Sequence, residues 1–339
     1  MIGGIQGLRA LAALLVVVQH VIVYACLHTG ADFLPFLPVP FGSLGVNVFF
    51  VISGYVMALC VPEGRRFLGR RAVRIYPTYW LAIAVSAIVM PLAGRAWTID
   101  PVSVLLIPST TLNQSYTIPY WTLVYEVVFY AVFGVAVLVG LRARGLTVLL
   151  GSWAGVVIVS SVLGITPPEE SIIAAPGAWI MLSPPTLLFI CGALAGLLAR
   201  DALARTSAGA LAIGVVTLFA VTQLSAWSLV ADYLILGPAV VCAIELARRW
   251  TPPQWIVTLG DASYGLYLAH VMGIIIALTA LEAMAPTARL AVVAATAAAG
   301  ALVVGVAFGL LDRHVYRRYL RRLITLPPSK DETAELSVR

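Results

Sequence analysis

Charge is what this sequence has least of. Only 11% of its 339 residues are charged, against roughly 25% in ordinary soluble domains. With 61% hydrophobic residues and a mean hydropathy of +0.99, a soluble globular fold is excluded, because no compact domain can hide that much apolar surface. Cysteine is scarce as well. Cys26, Cys60, Cys191 and Cys242 lie in or beside apolar runs, with no CxxC spacing and no histidine in ligand register, so neither a disulfide framework nor a metal site is expected. Long polar stretches are also missing. The longest outer connection, 94–120, leaves no room for a separate domain, so any chemistry has to happen within the apolar part of the chain. The N-terminus has no basic stretch before its apolar run and no small-x-small cleavage site after it, and it reads as a first span, not a signal peptide.

What the sequence has instead is repeated apolar runs of the length that crosses a bilayer, about 20 residues each. Ten can be drawn, at 5–27, 42–61, 74–93, 121–141, 146–165, 180–199, 207–223, 228–247, 262–284 and 288–311. The fold expected is all-α: a polytopic integral membrane bundle of about ten helices in the lipid bilayer, forming one transmembrane domain over 1–325 with a polar, disordered tail over 326–339. Only a weak break at Ser225-Ala226-Trp227 divides the seventh run from the eighth, which leaves nine or eleven spans as alternatives.

Charge placement orients the bundle, since cytoplasmic loops are enriched in Lys and Arg. If the chain starts inside, one side collects Arg65, Arg66, Arg70, Arg71, Arg74, Arg142, Arg144, Arg200, Arg205, Arg248 and Arg249, and the tail adds five more arginines between 313 and 322. The other side carries Arg95 and Arg289 beside Asp32, Asp100, Glu169 and Glu170. Both termini are therefore expected in the cytoplasm. The net charge of +6 is explained by topology, and no nucleic-acid partner is expected.

Ionisable residues inside spans are costly and mark functional sites by default. Arg9 and His20 lie eleven residues apart on the first helix, which places them on one face roughly 16 Å apart along the axis. A ligand with an anionic end and a reactive end on a long arm fits that separation, and coenzyme A has this shape. Arg71 and Arg74, at i and i+3, can clamp phosphate oxygens with two guanidinium forks, although ordinary topology charge is the plain alternative. Ser53-Gly54 in the second helix offers close approach to a ligand arm or, more simply, to another helix. Glu126, five residues past Trp121, is read as near the outer end of its helix, where it would orient His20 as an assisted general base. Ser263, Tyr267 and His270 share one face at i, i+4 and i+7, and a donor-binding or structural role is preferred for His270.

In this order the segments R9-x10-H20, F49-F-V-I-S53-G54-Y55, R71-x-x-R74, W121-T-L-x-x-E126-x-x-F-Y130 and S263-Y-x-x-Y267-L-x-H270 resemble the acyltransferase 3 family of transmembrane acyltransferases. The opening I5-Q-G-L-R9-A looks most like its bacterial exopolysaccharide O-acetyltransferase branch. Asn47 stands where many relatives carry Asp, and Tyr55 where many carry Phe, which puts a role for position 47 in doubt.

The resemblance implies a multi-pass enzyme of the bacterial inner membrane that takes acyl groups, usually acetyl from acetyl-CoA, to hydroxyls of surface glycans, or in some relatives of antibiotics or Nod factors. It associates Arg9, His20, Arg71 and Arg74 with activity; together with the reading of the residues above, the roles expected are catalysis by His20 and Glu126, donor binding by Arg9, Arg71, Arg74, Ser53 and Gly54, and substrate contact by Trp121, Tyr267 and His270. Acetyl-CoA would be a consumed donor, not a resident cofactor, and polysaccharide-assembly machinery a partner. His20 would deprotonate the acceptor or carry the acyl group itself. The rival class is a transporter or flippase with His20 and Glu126 as a relay. It would be expected to show inverted repeats and broken spans, which are not visible here.

Overall fold

Lipid offers no hydrogen-bond partner to a peptide group, so each apolar run must satisfy its own backbone, and a continuous helix does that. A computed structural model describes residues 3–99, 101–108, 118–165, 177–224 and 228–320. The expected break at 225–227, the acidic residues Asp100, Glu169 and Glu170 and the tail 326–339 lie outside the described residues.

The described residues form helices and turns, without a strand. In chain order the helices are α1 (Gly3–Thr29), α2 (Phe41–Leu59), α3 (Phe67–Leu92), the short α4 (Pro101–Val104), α5 (Trp121–Leu138), α6 (Ala143–Val162), α7 (Thr186–Leu194), α8 (Arg200–Arg205), α9 (Ala208–Leu224), α10 (Leu229–Arg249), α11 (Gln254–Met284) and α12 (Leu290–Val315). A π-helical turn, Ala195–Ala199, joins α7 to α8 into one span. Among the described residues nine spans are long and apolar enough to cross a membrane, and the seventh expected run, 207–223, is the shorter apolar helix α9. The chain is a polytopic membrane bundle.

Two helices begin well before the expected positions. α3 starts at Phe67 and not at 74, and α11 at Gln254 and not at 262. The early turns are polar, with Arg70 and Arg71 in one and Asp261 in the other. Apolar content alone assigns such residues to loops, although a helix that projects past the hydrocarbon carries them at little cost.

Packing relies on small residues, because lipid is as apolar as a leucine side chain and gives little drive for helix association. α11 and α12 touch backbone to backbone: a Cβ added at Gly265 would lie 2.6 Å from the Cα of Gly309. α1 packs against α2, α10, α11 and α12, and α2 packs against α7. The alternating chain direction gathers the starts of α1, α3 and α11 and the ends of α2, α10 and α12 at one arginine-rich end of the bundle.

The segment after α3 folds back into the bundle. The hydroxyl of Tyr79 donates to the Ser103 carbonyl (2.8 Å), Trp80 Nε1 to the Val104 carbonyl (3.0 Å) and the Tyr76 hydroxyl to the Leu105 carbonyl (3.0 Å). These donors stand roughly 14–20 Å into α3 at 1.5 Å per residue, so α4 returns to about the middle of that helix. Irregular backbone is tolerated at such depth because its carbonyls find protein donors. The hydroxyl of Ser103 then donates to that of Tyr120 (3.0 Å), directly before α5. α5 therefore begins deep, and its Tyr130 ring reaches Phe67 in the first turn of α3, 6.3 Å between centroids.

Candidate active site

A cavity of about 560 Å³ opens among α1, α2, α3, α5 and α11 toward the arginine-rich end. It gathers six of the residues expected from the sequence: Arg9, Ser53, Arg71, Arg74, Glu126 and Tyr267.

The arginines are held by partners that the sequence reading did not supply. Arg74 Nη1 lies 3.0 Å from Asp312 Oδ2, and the guanidinium sits over the rings of Tyr264 (5.1 Å) and Tyr316 (5.0 Å). Arg71 Nη2 donates to Cys60 Sγ (2.8 Å), lies 3.8 Å from Glu63 and packs over Phe67 and Tyr130, at 5.4 and 5.8 Å. Its Nε is buried without a hydrogen-bond partner among the described residues. Arg70 Nη1 pairs with Glu63 at 3.3 Å. Arg9 reaches the same space from α1, close enough to Arg74 to repel it and to Glu126 to attract it. The i, i+3 pair of α3 thus faces one cavity, with a third guanidinium opposite. Three cations converging in a half-buried space suit a multiply charged anion.

Cys60, just past α2, lines the cavity. Burial pushes its thiol above the ordinary value, against a smaller downward pull from Arg71.

Glu126 is not where the sequence reading put it. Both Ser53 and Tyr130 donate their hydroxyls to Glu126 Oε1, the first at 3.4 Å, and no bond joins it to His20. The expected Glu126–His20 pairing fails because the fold-back before α5 lowers that helix toward the arginine-rich end.

Gly54 does not make room for a ligand arm. A Cβ there would strike the Phe189 carbonyl and come within 2.9 Å of the Ala193 nitrogen, while Gly192 answers it against Val51 and Tyr55. The simpler reading, α2 packed on α7 through paired glycines, is the one the structure supports. Trp121 is also off the cavity wall, half-buried and edge-on to Tyr125 with centroids 6.3 Å apart.

His20 and His270 lie beyond the cavity and against each other. Their rings are 4.9 Å apart and nearly perpendicular. Between them and the cavity stands Tyr267, whose hydroxyl shares a 2.8 Å hydrogen bond with Thr122 and whose ring meets Phe49 edge-on at 6.2 Å. Tyr267 lines the cavity on one side and approaches His270, ring to ring, at 6.1 Å on the other. The anion-holding end and the histidines are thus consecutive along α1 and α11.

Asp312, Glu63 and Cys60 are the site residues that sequence reasoning missed, and Tyr130 entered it only as part of a motif. Asp312 had a usable signal, an acid directly after Leu310-Leu311. The expected span stops at 311, one residue short of it, whereas α12 runs on to Val315.

Residues 2–311 match the acyltransferase domain family designated Acyl_transf_3. The chain is 30% identical over 310 residues to the exopolysaccharide production protein ExoZ of Rhizobium meliloti (strain 1021), covering 84% of this chain and 92% of that protein. It is 26% identical over 304 residues to the acyltransferase MdmB of Streptomyces mycarofaciens, covering 79% of this chain and 78% of that one. No solved structure is significantly similar.

Proposed function

The chain belongs to the acyltransferase 3 family and is a membrane acyltransferase for groups other than aminoacyl groups, and on that premise we propose that it takes an acetyl or other short acyl group from cytoplasmic acyl-CoA to a hydroxyl of a cell-surface glycan or its lipid-linked precursor. The observation that carries the donor half is the convergence of Arg9, Arg71 and Arg74 on one cavity whose far wall leads to a histidine pair. The phosphates of coenzyme A would rest on the arginines, at the cytoplasmic end of a bundle sitting in the bacterial inner membrane. The arm would pass Tyr267 toward His20. The glycan half is supported by the likeness to a protein named for exopolysaccharide production.

His20 is suited to act as a base. Its Nδ1 faces the Val16 carbonyl at 2.9 Å, and a nitrogen facing a carbonyl must carry the proton, which leaves Nε2 as the basic atom. In this mechanism Nε2 takes the acceptor's hydroxyl proton while the oxygen attacks the thioester carbonyl carbon. The carbon–sulfur bond breaks, and the departing thiolate recovers the proton from His20. No net proton is gained or lost by the enzyme.

Protein reconstituted in vesicles with labelled acetyl-CoA tests this directly. Acceptor-dependent release of free CoA, together with O-acetyl signals in the glycan by NMR, is the expected result. Glycans with the same O-acetyl content whether or not the protein is present would overturn it.

A further inference from the structure

His270 lies against His20, and the mechanism leaves it without work. It is fully buried on α11. Its Nδ1 faces the Tyr267 carbonyl at 2.7 Å, which fixes the proton on that nitrogen. Its Nε2 then presents a bare lone pair, and that atom is buried with no hydrogen-bond partner among the described residues. Leaving such an acceptor unsatisfied is destabilising. A phenylalanine or leucine would fill similar space without that cost, so packing by itself gives no reason for a ring nitrogen at this position.

The neighbour supplies a reason. The two imidazoles are in edge-to-face contact, 4.9 Å between centroids, and each is tied by Nδ1 to a carbonyl of its own helix, one turn earlier. Both are therefore locked as the same tautomer, with the proton on Nδ1 and the lone pair on Nε2. Glu126, the acid expected beside His20, is occupied by Ser53 and Tyr130.

We propose that His270 is the positioning residue of His20: its neutral ring fixes the orientation of the His20 imidazole, and its unprotonated Nε2 turns a fixed dipole toward the positive charge that His20 gains when it takes the acceptor's proton. His270 itself exchanges no proton. Two charged rings in contact would repel strongly in so dry a place, so the pair holds one added proton, and it resides on His20. A fixed dipole beside a developing charge lowers the barrier without reorganising at the moment of reaction. The unsatisfied nitrogen in the resting protein is thereby compensated in the transition state. This inference rests on the reading of His20 as the base.

Four variants in vesicles, assayed for acyl transfer with acetyl-CoA, test it. Asparagine places its amide near the Nδ1 position and glutamine near the Nε2 position. H270N, which keeps the contact to Tyr267 and loses the second nitrogen, is expected to lose at least about 10-fold in kcat with KM for acetyl-CoA unchanged. H270Q should recover part of that loss. H270F should lose as much as H270N while its melting temperature stays level or rises, since an unsatisfied group is removed. Adding H270F to H20A should cost nothing further, because the residue acts only through His20. Wild-type kcat in H270N, equal activity of H270Q and H270N, or a further loss from H270F in the H20A background would each overturn the inference while leaving the acyl-transfer reading intact. An H20A protein as active as wild type would overturn both the inference and the assignment of the base.

Discussion

Arg74 and Asp312 form the electrostatic hinge of the candidate site. The Asp312 side chain is only 1% exposed and accepts from both Arg74 and Thr78, so it ties the end of α12 to the first half of α3. The Arg74 charge is thereby balanced before any ligand arrives, and an incoming phosphate has to share it.

Replacing Asp312 by asparagine leaves Arg74 with no formal counter-charge in its pair. Breaking a buried pair from one side costs roughly 3–5 kcal/mol, and the lower end applies because Arg74 is 22% exposed. D312N is expected to melt several degrees lower than wild type, and CoA should raise its melting temperature by more than it raises that of wild type. Equal stabilisation of the two proteins by CoA would show that the ligand does not reach Arg74.

Glu126 offers a clean separation of roles. As an acceptor for Ser53 and Tyr130 on the cavity wall, it should affect donor binding more than chemistry. E126Q keeps an acceptor oxygen, so kcat is expected to stay within about threefold, whereas loss of a group assisting proton transfer costs about 10² or more. Steady-state kinetics that vary acetyl-CoA at fixed acceptor distinguish the two.

Cys60 gives a pH-dependent report on the cavity. Its raised thiol value means less thiolate at any given pH, so the rate of maleimide labelling should keep climbing at higher pH than for an ordinary cysteine. In a variant whose other three cysteines are replaced by serine, R71A is expected to shift the curve higher still, because Arg71 is the group that pulls the value down. CoA should slow the labelling by covering the thiol. Labelling that is insensitive to CoA would place the donor elsewhere.

Gly54 should behave as a packing residue. G54A pushes a methyl into the backbone of α7, and overpacking of this kind costs typically 1–3 kcal/mol. The expected outcome is lower yield and a lower melting temperature, with KM for acetyl-CoA unchanged in the protein that does insert. A raised KM without loss of stability would return Gly54 to the donor path.

Much of the site was legible because ionisable residues are rare in this chain. Arg9, His20, Arg71, Arg74 and Glu126 stand out against apolar surroundings, and spacing along a single helix is enough to place 9 below 20 and 71 beside 74. The partners of these residues were not legible. Asp312 reaches Arg74 across 238 positions, and His270 meets His20 from a helix 250 positions later in the chain. No local pattern encodes either distance.

By itself, the sequence determined a helical membrane bundle, since uninterrupted apolar runs in lipid have only one way to satisfy their peptide groups. It also determined which end of the bundle carries the cations. Only the tertiary structure decided how deep each helix sits. Glu126 reads as an outer residue when spans are counted from end to end, yet the carbonyls of 103–105, caught by Tyr79, Trp80 and Tyr76, draw the start of α5 inward. That places Glu126 among the arginines and leaves His20 with His270. Hydropathy records how long a helix is and is nearly blind to where it starts, because hydrogen bonds between side chains and a returning loop leave no periodic trace.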